Sequence, residues 1–262
     1  MAKGYWDDLS TEDFRGLNAA STVVLFPVAA TEQHGPHLPL STDACIGSAV
    51  AARALELARN DFDILVLRQA VVGISLEHAR FPGTLSHDAE TLIASWCQVG
   101  GGVAAAGLRK LVFFNSHGGQ PQIVDIVAQR LSARHRMLVV RANTFSFGVP
   151  DGLFDAAEVD HGLHGGAIET SMMLHLRPDL VRMDKAEDFV SLGQAMEKQA
   201  IAPHGPAPFA WESGDLNPAG VTGNAAAASA EKGAAMVEHL AQALAGVLEE
   251  ARAFDLERLT GG

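Results

Sequence analysis

Four short runs dense in β-branched and aromatic residues, separated by Ala- and Leu-rich stretches of helical length, constrain this chain most. The first, residues 21–28 (STVVLFPV), is continuously apolar, the pattern of a strand covered on both faces. A helix is expected over 43–59, with Asp43 or a neighbour near its start, and then a strand over 63–67 (DILVL). A second helix opens near residue 86, with Ser86 or Asp88 as N-cap, and runs to about residue 106. A buried strand over 110–115 (KLVFFN), a helix to about residue 135 and a strand over 137–142 (MLVVRA) follow. This alternation predicts an α/β fold with an open, mostly parallel sheet and helices on both faces.

Beyond residue 148 the pattern loosens. Residues 165–176 read as a helix, and 202–224, with Pro203, Pro206, Pro208 and Pro218, as irregular structure. Residues 225–252 read as a long Ala-rich helix suited to subunit packing. No repeat or linker justifies a cut, so residues 1–262 are taken as one α/β domain. The net charge of −12 argues against nucleic acid as a partner, since phosphates would be repelled. Two cysteines, Cys45 and Cys97, exclude a disulfide framework, and Cys45 is read as core. No apolar stretch approaches the roughly 20 residues of a membrane span, and no signal peptide is visible, so a cytoplasmic location is expected.

The polar residues that carry chemistry fall just after predicted strands, at the sheet edge where open α/β folds bind ligands. After residues 21–28 come Glu32, His34, His37 and Asp43. Such a set suits a divalent transition metal, or else is a polar loop with capping acids. After residues 110–115 comes Asn115-Ser-His117-Gly118-Gly119, which either presents an imidazole and bare backbone N–H groups or simply caps a helix. The third set is Asp160-His161 and His164-Gly-Gly-Ala-Ile-Glu169, where Glu169 is a candidate ligand or a capping acid. His78, before Phe81-Pro-Gly83-Thr84, is a pocket residue or a surface one. Three such sets together point to a metal-dependent hydrolase. His87, His135, His175, His204 and His239 read as non-catalytic.

At these residues the sequence resembles the creatininase (creatinine amidohydrolase) family. The matching segments are residues 27–43, with Glu32-Gln-His34-Gly-Pro-His37-Leu-Pro, and His78 with Phe81-Pro-Gly83-Thr84. Asn115-Ser-His117-Gly-Gly119, His164 to Ser171 and Gly220-Val-Thr-Gly223 continue the match in family order. The resemblance implies a three-layer α/β/α sandwich, two divalent metal ions (Zn, Mn or Fe), hydrolysis of a C–N amide-type bond by a metal-bridged hydroxide, and a homohexamer. It assigns Glu32 and His117 to one metal, His34 to the other, and Asp43 to a position bridging both. Creatininase has a second-metal carboxylate where this chain has Gly119, and a Trp where it has Asp160. Both departures argue against creatinine itself, and Glu169 becomes the candidate replacement ligand, the alternative being water or substrate.

The expected activity is that of a metal-dependent amidohydrolase acting on a cyclic amide or formamide of a small molecule, not on a peptide bond. His164 would donate the proton to the leaving nitrogen, with Gly118 and Gly119 N–H groups supporting the oxyanion. His37 is either a partner orienting a ligand or a hydrogen-bonded loop residue. The alternatives are a ring (C–C) hydrolase of a cyclic ketone sugar and a catalytically silent metal- or metabolite-binding member. The substrate pocket is expected from residues 74–84, 143–161 and 202–217, with Arg80, Arg141, Phe209 and Trp211 as unassigned contacts.

Overall fold

The structure, a computed structural model, describes residues 3–59 and 61–259. The apolar runs form β2 (Val23–Val28), β3 (Ile64–Val66), β4 (Lys110–Asn115) and β5 (Leu138–Asn143). They pair in parallel with a short edge strand, β1 (Lys3–Tyr5), in the order β1-β3-β2-β4-β5. The edge strand was not anticipated, because three residues carry no readable period.

The pleat sends alternate side chains to two helical layers. Val24, Phe26 and Val28 of β2 pack with Leu92 and Trp96 of α3 (Ala89–Ala105) and Val124 and Leu131 of α4 (Pro121–His135). Phe14 of α1 (Thr11–Arg15) adds to that side. Val23 and Leu25 face the other way, toward α2 (Thr42–Leu57), α6 (Ala167–Leu176) and α9 (Ala230–Ala253). The result is the expected three-layer α/β/α sandwich. Between α5 (Ala156–His161) and α9 lie α7 (Leu192–Ala195), α8 (Ser213–Leu216) and two small sheets. In these, β6 (Asp188–Phe189) pairs with β9 (Gly223–Asn224), and β7 (Ile201–Ala202) with β8 (Ala207–Pro208).

Two helix starts differ from the sequence reading, each for a local reason. Gly165 is left-handed (φ +66°) and Gly166 is extended, so α6 begins at Ala167 rather than at 165. Pairing of Gly223 with Phe189 holds the chain extended just before the predicted start of the last helix, and Ala225–Ala227 form only a 3₁₀ turn. That helix therefore begins at Ala230, where Ser229 Oγ accepts from Lys232 N at 3.3 Å. Its apolar stripe is covered within the chain: Met236, Leu240, Leu244 and Leu248 are all buried in the core shared with α2 and α6. Each such Leu contributes about 1.5–3 kcal/mol by burial. A Cβ at Gly233 would overlap the Ser171 carbonyl, so glycine lets α9 lie directly on α6. The apolar stripe of this helix therefore serves the core of its own chain.

β2 and β4 are neighbours, and Val28 sits opposite Asn115. Their carboxyl ends are level, and the two loops carrying the polar motifs start side by side.

Candidate metal centre

After β2 the chain turns inward. Glu32 is fully buried, its backbone N–H donating to Leu40 O at 3.1 Å. His34 Nδ1 donates to the Glu32 carbonyl at 3.0 Å, which aims Nε2 at Asp43 Oδ1, 3.1 Å away. Asp43 stands in the first turn of α2, its carbonyl accepting from Ser116 Oγ at 2.9 Å.

After β4, the Asn115 side chain builds the turn. Asn115 Oδ1 accepts from His117 N at 3.1 Å and Gln120 Nε2 at 2.9 Å, while Asn115 Nδ2 donates to His117 O at 2.8 Å. His117 Nε2 donates to Ile74 O at 2.8 Å, leaving Nδ1 3.2 Å from both Glu32 Oε1 and Asp43 Oδ2. The Asp43 carboxylate therefore lies between two imidazoles, one per oxygen, as a bridging position requires.

The loop between α5 and α6 brings the third histidine. His164 Nε2 donates to Gln33 O at 2.7 Å, and Nδ1 faces Glu32 Oε1 at 3.8 Å. Its ring stacks on His78 and lies tilted against His34, each with a centroid separation of 4.2 Å. Thr222 N donates to His164 O at 2.8 Å, and buried Glu158 accepts from Asn224 N (2.7 Å) and Ile168 N (3.3 Å), binding this loop to β9 and α6. Glu169 Oε2 accepts from Gly165 N at 2.6 Å and lies 3.9 Å from His34 Nε2.

The histidines thus share one plan. His34, His117 and His164 each tie one ring nitrogen to a backbone carbonyl and turn the other toward the carboxylates, as metal-ligating histidines commonly do. Ligand atoms of Glu32, His34 and His164 lie within 4.8 Å of one another, as do those of His34, Asp43 and Glu169 and those of Glu32, Glu77 and His117. Glu32 Oε1 and Oε2 and Asp43 Oδ2 are buried without a hydrogen bond of good geometry among the described residues. Buried carboxylates without adequate partners are costly unless a cation meets them. The donor set of imidazole and carboxylate therefore fits divalent transition metals.

The charges tell the same story. Burial opposes a proton on His34, but Asp43, with help from Glu169 and Glu32, overrides it and lifts the pKa to about 10. His117 is likewise raised, against burial, by Glu32 and Asp43. For Glu32 and Asp43, burial works to raise the pKa, and the facing imidazoles, with their hydrogen bonds, bring it below the usual carboxylate range. Metal binding would replace those two protons with stronger positive charge. His164 moves the other way: burial and the neighbouring His34 lower its pKa and keep it neutral.

His78 proves to be a pocket residue. It is buried, accepts from Gln33 Nε2 at 2.7 Å and directs Nε2 to Glu32 Oε1 at 3.4 Å. Burial and His164 lower its pKa to about 3. His37 points away from the centre: its Nε2 lies 3.0 Å from Gly165 O and Thr170 Oγ1, and its ring stacks on Phe189, so it braces the His164 loop. His161 stands edge-on to His204, away from the cluster. Cys45 packs against the core.

The centre floors a cavity of about 410 Å³ lined by Leu76, Glu77, Gln122, Leu163, Ala210 and Trp211, with Gly118 and Gly119 on one side. The 74–84 and 202–217 segments supply walls as expected, whereas 143–161 supplies none. Arg80 pairs with Glu212 and Arg141 with Asp125, so neither lines it. Glu77 is the residue that sequence reading missed. Its Oε1 lies 3.6 Å from His117 Nε2, and its only signals in the sequence are its adjacency to His78 and its place in the expected 74–84 wall.

The sequence profile of the creatininase family, described as creatinine amidohydrolase, matches residues 7–248. This chain belongs to the creatininase family. It is similar to a mycofactocin precursor peptide peptidase of Mycolicibacterium smegmatis, 37% identical over 68% of this chain and 67% of that one. Against the corresponding Mycobacterium tuberculosis peptidase, 35% identical, the aligned stretch spans 64% of this chain and of that one. The creatinine amidohydrolase of Pseudomonas putida is 28% identical over 88% of this chain and 90% of that one. The solved manganese form of creatininase superposes with a TM-score of 0.77, at 27% identity, covering 94% of this chain and 97% of that one. A mutant creatininase of Zn–Zn type gives 0.77 at 26% identity, covering 95% and 98%. The chain is thus a creatininase-family hydrolase, and solved creatininases hold Mn or Zn.

Proposed function

We propose that this creatininase-family chain is a two-metal hydrolase that cleaves an amide-type C–N bond of a small molecule. The observation that carries the reading is the shared tethering of His34, His117 and His164, whose free nitrogens surround two buried carboxylates lacking adequate partners. Glu32 and His117 would hold one divalent ion, His34 and Glu169 the other, with Asp43 between them. Zinc, manganese and iron all suit these ligands. Two such ions supply a Lewis acid for the carbonyl and lower the pKa of the attacking water.

The chain's residues do the rest. His164 Nε2 is occupied by the Gln33 carbonyl, so Nδ1 is the atom that takes a proton from the attacking water and delivers it to the leaving nitrogen. Gly118 and Gly119 N–H groups, at the cavity wall, serve the developing oxyanion. Leu76, Leu163 and Trp211 give the substrate an apolar surround that limits water.

Cyclic amides and formamides are the first reading of the substrate. A short peptide is the second, favoured by the higher identity to the mycofactocin peptidases than to creatinine amidohydrolase. The test is hydrolysis of creatinine, a formamide panel and short peptides by the metal-loaded protein. Turnover of any of these that chelation abolishes and metal restores supports the reading, and the panel names the branch. Metal-independent turnover, or none on any member, contradicts it. A homohexamer in the cytoplasm accompanies this reading, and light scattering of the purified protein tests the assembly. Among the described residues no helix is long and apolar enough to cross a membrane.

A further inference from the structure

Glu77 belongs to none of the sequence motifs assigned above, yet the fold brings it to the centre. It sits in the single helical turn Leu76–His78 after β3, and an antiparallel bridge between Thr31 and Leu85 fastens the far end of that loop beside Glu32. Ile74 O, at the start of the same loop, accepts the His117 tether. The segment that orients His117 therefore also delivers the Glu77 carboxylate.

Three observations converge on it. One carboxylate oxygen of Glu77 lies within 4.8 Å of ligand atoms of both Glu32 and His117. A Cβ built on Gly119 would overlap Glu77 Oε1, so the space beside His117 that a side chain at 119 would fill is occupied by this carboxylate. Glu32 and Asp43, deep in the same cluster, keep buried oxygens without adequate hydrogen bonds. Charge adds a fourth argument. Among the described residues no Lys or Arg lines the cavity, and Glu32, Asp43, Glu77 and Glu169 carry the four negative charges that balance two dications.

We infer that Glu77 is a ligand of the metal position formed by Glu32 and His117, a carboxylate supplied by the loop after β3 that completes that position as Glu169 completes the His34 position. Gly119 is then glycine because any side chain would displace this ligand. The inference rests on the two-metal reading above, and its test separates the two.

Chelator-stripped wild type, Glu77→Gln and Glu169→Gln would be titrated with Mn²⁺ alone, followed by calorimetry and by electron paramagnetic resonance. Wild type should bind two equivalents and show the exchange-coupled spectrum of a manganese pair. Glu77→Gln should keep one equivalent at wild-type affinity, bind the other at least ~10–100-fold more weakly, and lose the coupled spectrum at one equivalent. Gln matches Glu in size at a cavity wall, and unchanged circular dichroism with a wild-type melting temperature before loading confirms that folding is not the variable. Wild type with two equivalents and a Glu77→Gln protein that binds both at wild-type affinity overturns the assignment of Glu77 alone. Wild type with fewer than two equivalents overturns the two-metal reading and this inference with it.

Discussion

The centre has an inner and an outer half, and they are built differently. The inner half, Glu32, His34, Asp43 and His117, is at most 2% exposed and comes from the level ends of two adjacent strands. Its histidines are tethered to carbonyls and its aspartate is set by a helix start. The outer half, Glu77 and Glu169, comes from longer loops, and these side chains are 17% and 24% exposed. The inner half fixes where positive charge must sit, because its carboxylates cannot reach water. The outer half meets the cavity, and in the proposed two-metal site it would close the coordination and so set how tightly each ion is held.

That contrast can be broken at the inner half first. Asp43→Ala removes the carboxylate standing between both imidazoles. It should abolish binding of both ions, read by elemental analysis, and lower kcat/KM by at least ~10³-fold, because metal ions supply several kcal/mol of transition-state stabilisation. His164→Asn sharpens the division between holding metal and moving protons. Two bound equivalents should remain while kcat falls by about 10²–10⁴-fold, the usual worth of a positioned acid–base group. Loss of metal in this variant would instead place His164 among the ligands. At the outer half, Glu169→Gln should weaken one equivalent about 10–100-fold and leave the other intact, by the same titration as for Glu77.

The smallest effect concerns the brace behind the site. Burial, with the nearby His34 charge, lowers the His37 pKa to about 4, the backbone bond to Gly165 opposing only in part. Between that value and the ordinary 6.5 the unfolded chain binds the proton and the folded chain does not. Stability is therefore full above about pH 6.5 and falls as pH drops toward 4. Urea unfolding at pH 7 and pH 5 should show an acid loss in wild type about 1–2 kcal/mol larger than in His37→Gln. An identical loss in both proteins would show that His37 does not titrate this way.

The sequence revealed the inner half and hid part of the outer one, for a physical reason. Continuous apolar runs announce strands, and a Glu-x-His or Ser-His-Gly-Gly immediately after a strand is carried to a known edge of the sheet. Glu32, His34, Asp43 and His117 needed only that local logic, and the structure brings them together. Glu169 was within reach because it follows His164 by little more than one helical turn. Glu77 depends on where a loop lands, which the Thr31–Leu85 bridge and the Ile74–His117 bond decide across long separations in sequence. Glu158 was hidden in the same way, since its backbone partners at 168 and 224 come from segments that no local pattern joins. The Trp211 wall was hidden for a different reason: the irregular 202–217 segment carries no readable period, and its shape is held by bonds such as that from Trp211 Nε1 to Pro203 O.

The most direct test of the central claim is the metal stoichiometry of chelator-stripped, reloaded wild-type protein. The tethered histidines and partner-poor carboxylates predict two divalent ions per chain, and hydrolytic turnover that appears with them. A chain that binds one ion or none, with its fold intact, would contradict the account.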